Sequence, residues 1–284
     1  VIRGVPSLLP AGVAPRITAP EGSTLLVSHP VFSQHRTAPE PLRRQGPAPP
    51  PENVRRLTVL CDEAVGILRG AEFEGLEWEE QPPVAQMADV LRVHEYHYVR
   101  RLQEFCDAIR DNPAVVGLLD ADTTVSHKSC LSALTAAGAV IEAVKRVCEG
   151  RNRNAFVALR PPGHHAGPAG IVTNERDPGG SHGFCLLNNV AIGAAFARYN
   201  FWARGIRRIA IVDFDVHHGN GTEAIIRQLV PRWQSQSVTS HFCFGQLRRL
   251  EYRPWRGEGD AEEVMFVSVH GYGPRRVGGG GGGG

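Results

Sequence analysis

An α/β fold with a mainly parallel central sheet is the architecture this sequence predicts. Two observations predict it. Short apolar runs at residues 25–27, 155–159, 209–213 and 264–269 alternate with longer segments of helical period, the pattern of strands joined by crossover helices. The two stretches richest in polar chemistry, RPPGHHA at 160–166 and VDFDVHHGNGT at 212–222, each follow such a run directly. In parallel sheets, sites gather beyond the carboxyl ends of the strands.

The elements follow in order. Residues 25–27 read as a first strand, and five prolines within 41–51 as a loop. Residues 52–70 carry helical period through Val54, Leu57, Leu60, Ala64 and Leu68, closing at Gly70. Residues 91–109 predict a helix with Tyr98, Leu102 and Phe105 on one face. The strongest helix is 129–148, alanine-rich, with Leu131, Leu134, Ala137, Ile141 and Val144 spaced to face a core. A buried strand at 155–159 delivers RPPGHHA. A helix at 187–199, a strand at 209–213, a helix at 222–229 and a strand at 264–269 complete the pattern. Residues 231–262, rich in arginine and tryptophan, read as an inserted surface hairpin or loop.

One domain is expected over 28–277, with a disordered proline-rich leader at 1–27 and a glycine tail at 278–284. Residues 1–20 carry Arg3 and Arg16 and no acid, so an organelle presequence is the alternative reading of the leader. At 42% hydrophobic and 21% charged, the 284-residue chain is ordinary for a globular protein. A net charge of +2 is too slight for a nucleic-acid footprint. No apolar stretch is long enough to span a bilayer. Cys61, Cys106, Cys130, Cys148, Cys185 and Cys243 are scattered without a CxxC pair, which suggests reduced thiols.

Asp213, Asp215 and His217 fall at every other position, so an extended strand would present all three on one side. A carboxylate beside an imidazole makes half of a zinc site. His164 and His165 supply candidate bases, aimed by the rigid turn of Pro161, Pro162 and Gly163. A metal half-site and a histidine pair together point to metal-assisted hydrolysis. Of the other histidines, His29, His35, His94, His97, His182, His218 and His270 read as structural.

With these motifs in hand, the chain resembles the histone deacetylase family of zinc-dependent acetyl-lysine amidohydrolases. The resemblance runs from His29 to Pro274 through HPVFSQHRTAPEPLRR, VHEYHYVRRL, LDADTTVSHKSCLSALTAAGAVIEAV, RPPGHHA, GFCLLNNVAIGA, VDFDVHHGNGT and FVSVHGYG. It implies an arginase-like three-layer α/β fold with its C-terminal part missing. It makes Asp215 and His217 two of three zinc ligands and His164 and His165 the catalytic pair. Asp213 would bond to His164 and Asn220 to His165, an asparagine there being a class II-like feature. Gly183 and Phe184 would line the acyl-lysine tunnel, and Asp122 would hold the substrate backbone. Asp213, Asp215, His217, Ser268 and Val269 would supply a structural potassium ion. The implied partners are acetyl-lysine proteins, histones among them, and co-repressor complexes, in nucleus or cytoplasm.

One departure is expected. The family's third zinc ligand and its transition-state tyrosine lie on later segments than any in this sequence, and Asp260 precedes the last strand, in the wrong place for a ligand. A truncated, poorly active fragment is therefore the expectation. An acetylpolyamine or other small-molecule amidohydrolase and a non-catalytic interaction protein on the same scaffold are the alternatives.

Overall fold

The computed structural model describes residues 23–40, 49–173, 178–239 and 244–270. Strand β1 (Thr24–Val27) is followed by a 3-10 turn at Pro30–Gln34, then helix α1 (Arg55–Cys61) and strand β2 (Leu76–Glu79). Helices α2 (Met87–Val90) and α3 (Tyr96–Ala108), a short β3 (Gly117–Leu118) and β4 (Thr124–Val125), and the long α4 (Ser129–Cys148) come next. Strand β5 (Asn154–Val157) leads into the RPPGHHA turn. Helix α5 (Asn189–Asn200), strand β6 (Ile209–Asp213) and helix α6 (Asn220–Arg227) follow. Strands β7 (Arg232–Thr239) and β8 (Phe244–Glu251), helix α7 (Asp260–Glu263) and strand β9 (Val264–Ser268) complete the order.

The strands that carry the site are parallel. They lie in two groups, β2-β1-β5 and β6-β9. The antiparallel pairs β3-β4 and β7-β8 lie outside them. Within the inserted stretch at 231–262, β7 and β8 pair as antiparallel strands whose described residues are mostly exposed, while Trp255 beyond them is buried in the core. The far end of the stretch is anchored: the buried Arg198 of α5 donates to Asp260 at 2.6 Å and also meets Glu263. Asp260 is therefore spent on a structural ion pair, in keeping with its exclusion as a ligand.

Helix α4 sits between two hydrophobic clusters. Ala133 and Ala137 belong to one, with Leu186, Ile192 and Ile211; Ala136, Ala139 and Ala143 belong to the other, with Leu25, Val27 and Phe32. The expected core face is found at Ala137, with Leu134 and Ile141 packed against the first cluster, and is corrected only at its N-terminal end. Leu131 is exposed, while the small residues are sealed on both sides. Close packing on two faces leaves room for methyl groups and little more.

Three further expectations change. Thr24–Val27 form the central strand of a parallel group, so the leader cannot extend to residue 27; residues 1–22 and 278–284 lie outside the described residues. The helix expected over 52–70 runs only from Arg55 to Cys61, because the Asp62 side chain accepts from the Ala64 and Val65 amides and closes a turn instead. The helix expected from Leu91 starts at Tyr96, after a separate turn of helix at α2. Of the proline-rich loop, 41–48 lie outside the described residues. The described cysteines, Cys61, Cys106, Cys130, Cys148 and Cys185, are free. Among the described residues, no helix is long and apolar enough to cross a membrane.

Candidate active site

The RPPGHHA turn leaves β5 and is pinned from below. Arg160, buried to 2% exposure, donates to both oxygens of the buried Glu52 at 2.6 and 2.8 Å and to the carbonyls of Phe32 and His35 at 3.1 Å. Burial alone would raise the Glu52 carboxyl, but hydrogen bonds from His35 and Arg160 overcome it and hold it at about 2. Burial pushes His35 below its ordinary value, so Arg160 supplies the standing positive charge.

A second buried network holds the turn from above. His94 meets the Gly167 carbonyl at 2.9 Å through Nδ1 and accepts the Asn188 amide at Nε2, also at 2.9 Å. This assigns the Nδ1–H tautomer, and burial pushes the ring down to about 4. Asn188 caps α5 through Ala191 and donates to Ala166 and Thr222. Thr222 in turn donates its amide to the His164 carbonyl at 3.0 Å. Gly221 admits that approach, since a Cβ there would stand 2.3 Å from the His165 backbone. The structural reading of His94 holds, but its two partners, the Gly167 carbonyl and the Asn188 amide, had no sequence signal.

The two histidines so held lie side by side, ring centroids 4.0 Å apart. His164 Nδ1 meets Asp213 Oδ2 at 2.9 Å, and His165 Nδ1 meets Asn220 Oδ1 at 2.7 Å. Each second partner comes from the second motif: Asp213 ends β6 and Asn220 opens α6. Burial pushes His165 below its ordinary value, and the neighbouring His164 and His217 add to this against the hydrogen bond that His165 donates to Asn220.

Asp215 and His217 stand beyond β6 by a different route from the one expected. The strand stops at Asp213. Asp213 Oδ1 accepts the Asp215 amide at 3.1 Å, and Asp215 Oδ1 accepts the His217 amide at 2.8 Å. Two successive side-chain turns, rather than strand pleating, therefore set the alternation. His217 Nδ1 lies 3.3 Å from Asp215 Oδ1, and its ring centroid lies 6.1 Å from that of His165. Burial opposes charge on Asp215, yet the His217 amide and the nearby imidazoles hold its carboxyl below the usual range. Both side chains are exposed. A carboxylate and an imidazole nitrogen this close are zinc-type donors and fit that metal as a partial set. Among the described residues they are not joined by a third His, Cys, Asp or Glu.

Gly183 and Phe184 both take left-handed backbone, at φ +52° and +68°. Gly183 has a second reason to lack a side chain: a Cβ would stand 2.4 Å from the His165 ring. The strained Phe184 is held by its amide, which donates to Thr123 Oγ1 at 3.0 Å; Thr123 donates to Asp122. Asp122 is exposed beside this loop. Its neighbour Asp120 organises the segment, accepting from the amides of Asp122, Thr123 and His182 and pairing with the His182 ring at 2.6 Å. Sequence reasoning set Asp120 and His182 aside; only their meeting in space gives them a role. Ser268 lies opposite Asp213 in register, and the Val269 amide donates to the Asp213 carbonyl at 2.8 Å. His218, read as local, bonds Glu223 at 2.8 Å.

Comparison with known proteins places this arrangement. The histone deacetylase domain matches residues 50–277. A type-2 histone deacetylase 2 of Dictyostelium discoideum is 39% identical over 168 residues, covering 52% of this chain and 9% of the relative. A histone deacetylase-like amidohydrolase of Pseudomonas aeruginosa is 36% identical over 188 residues, covering 66% of this chain and 42% of that protein. The crystal structure of the HDA15 HD domain superposes with a TM-score of 0.61 at 24% identity, over 87% of this chain and 53% of that one; at that identity it shows the arginase-like α/β fold. The chain belongs to the histone deacetylase family. It spans less than half the length of the two relatives named here.

Proposed function

We propose that this chain carries the catalytic pair of a zinc-dependent lysine deacetylase, hydrolysing the acetyl amide of acetyl-lysine. The observation that carries the reading is the histidine pair, 4.0 Å between centroids, with each Nδ1 fixed by a separate partner. Asp215 and His217 would hold zinc together with a further donor. Bound there, zinc supplies a Lewis acid for the acetyl carbonyl and lowers the pKa of water.

The protein's own groups do the rest. With Nδ1–H committed to Asn220, His165 presents the lone pair of Nε2 as base. Its lowered pKa keeps that lone pair available at neutral pH. His165 takes a proton as water adds to the amide carbon and returns it to the lysine nitrogen as the C–N bond breaks. Asp213 orients His164 and balances charge that develops beside it. Gly183 and Phe184 wall an apolar passage for the neutral acyl chain, and Asp122 meets the substrate backbone. Oxygens of Asp213, Asp215, His217, Ser268 and Val269 would hold potassium. Acetylated proteins, histones among them, in nucleus or cytoplasm are the proposed substrates, with co-repressor complexes as partners.

The match to a bacterial amidohydrolase supports a second reading, in which the same chemistry acts on a small acetylated amine such as an acetylpolyamine. Acetate release from an acetyl-lysine peptide and from acetylspermidine, with Zn2+ in excess, tests both. We expect slow, chelator-sensitive release that favours the peptide and falls at least ~100-fold in His165→Ala. Retained release in His165→Ala, or none from either substrate by folded protein, contradicts the assignment.

A further inference from the structure

Asp122 and Phe184 lie on two loops, 119–123 between β3 and β4 and 182–184 before α5, and one buried hydroxyl joins them. Thr123 Oγ1 donates to Asp122 Oδ1 at 2.5 Å and accepts the Phe184 amide at 3.0 Å. Thr123 is only 1% exposed. A hydroxyl has a single proton to give. Here it goes to the carboxylate, while a lone pair takes the amide.

That hydroxyl is held in place. The Thr123 amide donates to Asp120 Oδ1 at 2.8 Å, and its carbonyl accepts the Leu119 amide, also at 2.8 Å. Two heavy atoms on Cβ then leave threonine few side-chain rotamers. The loops are also clamped beside it, because Asp120 Oδ2 accepts both the His182 amide and the His182 ring. Asp120 sets how close the loops come, and Thr123 sets how Asp122 and Phe184 stand once they are close. Phe184 needs such a hold: at φ +68° it occupies left-handed backbone that a side chain opposes. Asp122 keeps an exposed carboxylate, steadied at one oxygen.

We propose that Thr123 is a positioning residue that sets substrate preference. It registers the carboxylate that meets a peptide backbone against the ring that walls the acyl chain, so that both grip one substrate together. This rests on the deacetylase reading of the site. A peptide benefits from both ends of the link. An acetylated polyamine has no peptide backbone for Asp122 to meet and benefits only from Phe184. The link therefore favours acetyl-lysine peptides over small acetylated amines.

Acetate release by the wild-type, Thr123→Val and Thr123→Ser chains, each with Zn2+, tests it. Thr123→Val keeps the branched shape and removes the hydroxyl. KM for an acetyl-lysine peptide is expected to rise about tenfold with kcat within about threefold, because the lost contact acts in ground state and transition state alike. KM for acetylspermidine should rise by about threefold at most, and Thr123→Ser should restore most of the peptide affinity. A folding defect would instead lower kcat for both substrates and leave each KM in place. Equal losses for the two substrates, or a loss that Thr123→Ser does not restore, overturns the proposal.

The link is also read without turnover. In amide NMR, Asp122→Asn should shift the Phe184 signal in the wild-type background and leave it unmoved in Thr123→Val. A Phe184 signal that ignores Asp122→Asn, or that responds equally in both backgrounds, overturns the proposal. Absence of acetate release by the wild-type chain overturns the deacetylase reading instead, and the NMR result then decides the link. If Thr123→Val does not fold, the Phe184 response to Asp122→Asn in the wild-type chain decides it.

Discussion

Two clusters of charge flank the histidine turn, and they are built on opposite principles. Beneath it, Arg160, Glu52 and His35 are sealed, with nearly every donor and acceptor committed inside the protein. Beyond β6, Asp215 and His217 are exposed, held at the backbone while their side chains face outward. The first arrangement fixes where the histidines stand. The second holds donors in place without consuming them. Buried charge that is fully paired reads as scaffold; exposed charge that is ordered reads as a site waiting for a ligand.

Breaking the buried cluster should have the largest effect. Arg160→Ala strands a charged carboxylate in the interior and is expected to cost ~3–5 kcal/mol by urea unfolding. Replacing both partners, Arg160→Met with Glu52→Leu, should restore much of that loss. If the double variant is no more stable than the single one, the cluster does more than pair charge.

Acid should attack the same scaffold in two windows. His94 and His35 have folded values below the unfolded 6.5, so their contribution is present above 6.5 and fades as pH falls, toward about 4 for His94. Glu52, held at about 2 against 4.5, contributes above 4.5 and fades between 4.5 and 2. Each of His94 and Glu52 is worth up to ~3 kcal/mol. Tm should therefore drop steadily from pH 7 to 4 and again below it, with the first drop flattened in His94→Gln if that variant folds.

Gly183→Ala should fall between the clusters in effect. The left-handed backbone and the His165 ring both oppose a Cβ, and we expect a loss of ~1–3 kcal/mol together with a changed His165 NMR signal. Asp215→Ala should change stability least, within ~0.5 kcal/mol, because its side chain is exposed. A large loss there would erase the contrast between scaffold and site.

The sequence carried the site better than it carried the frame. RPPGHHA and VDFDVHHGNGT name His164, His165, Asp213 and Asn220, and those four do meet. Strand β6 and helix α4 were also legible, because an apolar run and a long alanine-rich period are local signals. Strand β2 was not: Leu76–Glu79 alternates acids with Leu76 and Trp78 at the edge of its group, with no continuous apolar run. The clamp between Glu52 and Arg160 spans 108 residues and has no local trace. The same holds for Asp120 with His182. Leu131 misled because period identifies a face but not how closely a neighbour approaches it.

Zinc titration followed by NMR of the histidine side chains tests the central claim most directly. The account predicts that Zn2+ shifts the His217 imidazole first, perturbs His165 beside it, binds weakly to this chain alone, and loses the His217 response in Asp215→Asn. A response centred on His218 and His270, or a His217 response undiminished in Asp215→Asn, would contradict it.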